Sequence, residues 1–262
     1  MSRRITFVAA VALALGAGCT SSAPAGLPTP AKSAHTAVIS GPAATSSIAT
    51  GSSLAAINPA NFTSGVGGNT WFPLTPGDRW VYTGIKDGKP ARDVMIVTGS
   101  TRTILGVRCV VVQDYLRLAG KLAETTLDYY ARDNQGNVWY FGEDTQELSP
   151  AGAILNTDGS WQAGVNGAKP GIIMTANPVI GQVYQQEYLP GQAQDHAKAI
   201  RLSASTKVPF ASFSNAQLTQ EWSPLEPNVI DHKYYVRGIG VVKEVTAKGP
   251  KEENDLVSFT KG

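Results

Sequence analysis

Alternation between apolar and polar positions dominates the chain from residue 79 onward. The runs RWVYTGIK (79–86), ARDVMIVTG (91–99) and VRCVVVQDYLR (107–117) are β-branched and aromatic and are separated by glycine turns, which predicts three strands. LAETTLDYYARD (122–133) sets Leu127 and Tyr129 on one side and Glu124, Thr126, Asp128 and Tyr130 on the other. Asn134-Gln135-Gly136 supplies turn chemistry before the strand VWYFGED (138–144). Later strands are predicted at 183–189, 196–204, 216–223, 232–240, 241–247 and 256–260. Trp80 and Tyr82 share a face and are assigned to the core. No window reads as a long amphipathic helix, and 192–204 comes nearest to one. The pattern predicts a mainly β domain. A single antiparallel, strongly curved sheet would close into a half-barrel, barrel or sandwich to bury its apolar face.

The pattern changes upstream. Arg3 and Arg4 precede an apolar run, Ile5 to Leu15, too short to span a bilayer and of signal-peptide length. Gly16, Ala17, Gly18 and Cys19 follow, and small residues before a cysteine resemble the bacterial lipobox. The usual leucine three residues before the cysteine is replaced by Gly16, with Leu15 one step further away. Residues 1–18 are therefore read as a lipoprotein signal peptide and Cys19 as the acylated anchor. Two or more acyl chains hold a protein stably at a membrane without spanning it. Residues 19–68 are mostly Ala, Ser, Thr, Gly and Pro, with Lys32 their only charge, and read as a flexible linker. Residues 69–262 hold all five Trp and all nine Tyr and read as one all-β domain. The expected location is extracytoplasmic, tethered to a bacterial membrane or envelope.

The chain has 262 residues with 22 basic and 20 acidic side chains, a near balance that argues against a nucleic-acid partner. Two cysteines exclude a disulfide scaffold and a four-thiolate zinc site. Cys109, within Val107 to Val112, reads as a buried structural thiol. The balance is uneven along the domain. Residues 69–121 carry a net +4, residues 122–195 a net −7 and residues 196–262 a net +2. The acidic stretch is either a set of solvated loops or a face that concentrates negative potential for a cation or basic partner. Candidate residues for that face are Asp128, Asp133, Glu143, Asp144, Asp158 and Trp161. Calcium takes six to eight oxygen ligands, and Asp133, Asp144 and Asp158 are candidates among them, although EF-hand spacing is missing.

Signatures of catalysis are missing from the sequence: no G-x-S-x-G, no phosphate-binding G-x-x-x-x-G-K and no H-E-x-x-H. His196 and His232 follow Asp195 and Asp231, but neighbours on a strand point to opposite faces. Gly238-Ile239-Gly240 reads as a hairpin turn. Asp133, Gly136 and Trp139 match the D-x-x-G-x-x-W spacing of propeller hairpins; one copy predicts a tight hairpin packed by Trp139. The glycine-rich stretch 159–174 reads as a long loop with an exposed-looking Trp161. It serves either binding or, preferably, as a plug over an open sheet end.

Five motifs occur together in order: NTWFPLTPGDRWVY, LDYYARDNQGNVWYFGEDT, GSWQAGVNGAKPGIIM, YQQEYLPGQAQD and KYYVRGIGVVKE. The set resembles a family of uncharacterised bacterial exported proteins and lipoproteins. The resemblance implies export and a curved β fold, and no activity. The opening and closing motifs also resemble a wider set of secreted curved-sheet domains, some of which carry lipids or lipoproteins.

Three functions follow as expectations. The first is an anchored, non-enzymatic domain that binds a ligand or partner, with 127–174 as the binding face. The second is a carrier of lipid or lipoprotein with an apolar cavity. The third is a hydrolase built on Asp128, Glu143, Asp144, Glu187 and Asp195, since carboxylates with divergent pKa values can do acid–base work. An apolar pocket favours the carrier, buried clustered carboxylates the enzyme, and a filled core with a polar rim the binding protein.

Overall fold

Period-two patterning becomes strand almost everywhere. The structure is a computed structural model that describes residues 57–63 and 68–262. The signal peptide, Cys19 and most of the 19–68 linker lie outside the described residues. Within the described residues the strands are β1 (Arg79–Lys86), β2 (Lys89–Ile104), β3 (Val107–Leu118), β4 (Lys121–Arg132) and β5 (Val138–Leu148). Next come the short β6 (Ile154–Asn156), β7 (Trp161–Gln162), β8 (Lys169–Met174), β9 (Val183–Gln185) and β10 (Glu187–Tyr188). The last five are β11 (His196–Lys207), β12 (Ser212–Trp222), β13 (Ile230–Val236), β14 (Gly240–Lys248) and β15 (Glu253–Thr260). A single 3₁₀ turn, Pro59–Asn61, is the one helical element among the described residues. No helix there is long and apolar enough to cross a membrane.

The strands form one antiparallel sheet in the order β10-β8-β5-β4-β3-β2-β1-β15-β14-β13-β12-β11-β9, with β6 and β7 attached to β5. The two ends of this order are neighbours in the chain. Residue Glu187 pairs with Pro170 on β8, while Gln185 pairs with His196 on β11. The segment 183–188 thus straps the sheet into a nearly closed barrel. Gly171 permits the strap: a Cβ there would lie 2.4 Å from the Gln186 backbone. Gly142 plays a similar part for β7, with φ of 136° and a built Cβ only 2.3 Å from the Trp161 carbonyl oxygen.

The curved-sheet expectation holds, and one local expectation does not. The strand expected at 196–204 forms as β11, with Ala197 and Ala199 buried and paired to β12. The stretch 159–174 is not one long loop. It holds β7 and β8, whose pairing with β5 wins over a Pro- and Gly-containing sequence without alternation. Trp161 is correspondingly buried at 4% exposure rather than exposed, and meets Tyr140 edge-on at 5.2 Å between ring centroids. This is the plug geometry.

The barrel interior has two ends. One is filled by Trp80, Met95, Val112, Tyr130, Tyr140 and Leu256, with Tyr130 stacked on Tyr140 at 5.0 Å. Trp80 Nε1 donates to the Ile239 carbonyl (2.6 Å) and the Tyr82 hydroxyl to the Val241 carbonyl (2.9 Å), so these two buried aromatics keep their polar atoms satisfied. Full burial of such side chains stabilises the fold by about 2–3 kcal/mol each. Cys109 lies in this core, free and fully buried, and burial pushes its thiol up to about 12.

Candidate functional site

The other end of the interior is acidic. Directly paired residues on adjacent antiparallel strands share a face, and the register carries polar groups inward from strand to strand. Tyr82 pairs with Asp93, Thr126 with both Asp114 and Thr145, and Asp128 with Glu143. On the far wall Thr219 pairs with Lys233, Lys233 with Glu244, and Glu244 with Asn254. All of these side chains are buried. The belt carries far more acids than bases, with Lys86 and Lys233 as its buried lysines.

The belt satisfies its charges in different ways. Lys233 lies 3.0 Å from Glu221 and 3.7 Å from Glu244. Burial pulls its pKa down, but these two carboxylates outweigh that and hold it above the usual lysine range. Asp128 accepts a hydrogen bond from the Tyr140 hydroxyl at 2.8 Å. Burial raises Asp128 well above the carboxylate range, and the Asp114 charge adds to the rise while the Tyr140 bond opposes it. Asp93 is also raised well above that range, by burial first and then by Asp114. Asp114 beside it is raised too, by burial, with its interaction with Asp93 opposing the rise. Glu187, fully buried on the strap, is raised by burial and then by Asp195 and Glu143. Two neighbouring buried carboxyls, Asp93 and Asp114, have the form of an acid–base pair.

A cleft of about 520 Å³ opens at this end of the barrel. Its walls come from the β1–β2 turn, the β3–β4 hairpin, and the end of β5 with the turn and β6 that follow it. Leu116, Leu118, Leu122, Leu148 and Leu155 supply an apolar lining, and Leu155 is 64% exposed. Lys86 and Glu124 bring the belt to the floor, while Asp93 and Asp114 do not line the cleft. Ala119, in the β3–β4 turn, adopts φ of 48°, the left-handed region that a tight hairpin needs. The volume lies in the range of small-molecule sites, roughly 300–1,000 Å³.

The acidic candidates do not form one face. Asp128 and Glu143 are in the buried belt; Glu143 is not on a solvated loop, because its pairing with Asp128 turns it inward. Asp133 is spent on its hairpin. Its Oδ1 accepts from the Gln135 and Asn137 backbones (both 2.9 Å), and its Oδ2 accepts from Asn137 Nδ2 and Trp139 Nε1 (both 2.8 Å). Asp144 is on the outer surface, where Arg102 and the Tyr129 hydroxyl each reach its Oδ2 at 2.6 Å. Asp158 is exposed on a turn, and Trp161 is core. Among the described residues no three His, Cys, Asp or Glu side chains are arranged to hold a metal ion, so Asp133, Asp144 and Asp158 share no calcium sphere. His196 and His232 lie on β11 and β13, separated by β12, and His196 stacks on Trp222. Sequence reasoning missed Lys86, Asp93, Asp114 and the cleft leucines; the inward alternation of Asp93 with Met95 was the available signal.

No protein-family model matches the chain, and no curated protein matches it. Two solved structures are similar. One is a candidate exported protein with a YmcC-like fold from Bacteroides fragilis, at 14% identity and a TM-score of 0.43. The other is a candidate lipoprotein from Parabacteroides distasonis, at 13% identity and a TM-score of 0.40. Each similarity covers 73% of this chain and 99% of the other.

Proposed function

We propose that this chain is a lipid-anchored extracytoplasmic binding protein that holds the apolar chain of a small amphipathic ligand at the open end of its barrel. The leucine-lined cleft carries this reading. Five leucines converge there, three from the β3–β4 hairpin and two from the end of β5 and β6, one of them largely exposed, and leaving such surface to water is unfavourable. The anchor rests on the basic start, the short apolar run and Cys19. The belt carboxylates are mostly walled off behind the floor, which supports binding over turnover.

A neutral fluorescent probe, N-phenyl-1-naphthylamine, tests the reading. The full-length protein is expected to enhance its emission, and dodecanol to displace it. Leu155→Glu with Leu122→Glu should abolish both effects while the thermal transition stays in place. Equal enhancement by the double variant would place the apolar site elsewhere.

A further inference from the structure

Lys86 is the charge in this cleft that the fold leaves unanswered. It is the last residue of β1 and alternates inward with Tyr82, so its side chain runs into the barrel at 2% exposure. Its ammonium has no hydrogen-bond partner among the described residues. Burial lowers its pKa, although Glu124, Glu252, Asp87 and Glu244 act on it through space in the opposite direction. The other charges at the cleft are differently placed. Glu147 accepts from Asn156 at 2.7 Å, and the Asp87 side chain is exposed at the rim. Lys89 and Lys121 are exposed at the rim.

An unpaired buried ammonium is costly, and an anion brought by the ligand would answer it. We propose that the cleft binds a long-chain carboxylate, its head at Lys86 Nζ and its chain along Leu116, Leu122, Leu148 and Leu155. The inference rests on the apolar-chain reading above and adds the charge of the head. One carboxylate suits one lysine that already feels Glu124, Glu252, Asp87 and Glu244. A dianionic phosphate would meet the same acids with more charge and would find no arginine fork in the lining. Lys89 and Lys121 would steer the anion inward.

Calorimetric titration of the full-length protein with laurate, dodecanol and dodecyl phosphate at neutral pH tests this. Laurate should bind about tenfold or more tighter than dodecanol, and tighter than dodecyl phosphate. Lys86→Met should erase the preference for laurate and keep dodecanol binding. Equal affinity of laurate and dodecanol for the unaltered protein would overturn the role of Lys86 and leave the apolar site standing. Tighter binding of dodecyl phosphate would overturn the carboxylate assignment. Binding of none of the three would overturn the inference together with the function it rests on. The comparison among ligands on the unaltered protein decides the matter even if Lys86→Met fails to fold.

Discussion

Tyr140 donates its hydroxyl hydrogen bond to Asp128 Oδ1 at 2.8 Å, and that bond joins the two ends of the barrel interior. The ring belongs to the aromatic stack with Tyr130 and Trp161. The acceptor belongs to the acidic belt. The apolar core and the polar end are therefore one continuous packed interior.

Tyr140→Phe removes the donor and leaves a buried carboxyl oxygen without it. The expected loss is about 1–3 kcal/mol, read as a lower urea midpoint with an unchanged slope. The Asp128 pKa should rise further, since the Tyr140 bond opposes its elevation. A loss below about 0.5 kcal/mol would show that this bond does not tie the interior together.

Stability should fall as pH rises from acidic to mildly alkaline. Burial raises Asp93, Asp128, Glu187 and Glu244, the last to about 8. The folded chain therefore keeps protons that the unfolded chain releases near pH 4. Their contribution is complete below the unfolded values and is lost as pH rises through the folded ones. Thermal unfolding followed by circular dichroism at pH 5, 6.5 and 8 should show a falling midpoint. Glu244→Gln should flatten the upper part of that slope. A midpoint that rises over this range would contradict the belt's protonation.

Trp161 is a plug, and its truncation should behave as a core mutation. Trp161→Ala is expected to cost about 3–5 kcal/mol in equilibrium unfolding. A variant of unchanged stability that lost only ligand binding would restore Trp161 to a binding role.

Much of the fold was legible because it is written in local pattern. The runs from Arg79 to Lys86 and from Val107 to Leu118 became strands as alternation predicts. The Asp133 hairpin formed because its carboxylate answers four nearby donors, all within six residues. Alternation also grouped Glu124, Thr126, Asp128 and Tyr130 correctly. It did not show which group turns inward. In β4 that choice depends on neighbours such as Asp114 and Glu143, and on the curvature of the whole sheet. The cleft was illegible for a related reason. Lys86, Leu116 and Leu155 meet only when three turns gather at one end of a barrel.

Methyl-resolved NMR of the protein titrated with dodecanol tests the central claim most directly. The methyl signals of Leu116, Leu122, Leu148 and Leu155 should shift together, while Leu74 and Leu256 in the filled core stay in place. Shifts confined to residues outside the cleft, or no shifts at saturating dodecanol, would contradict a binding site at the barrel's open end.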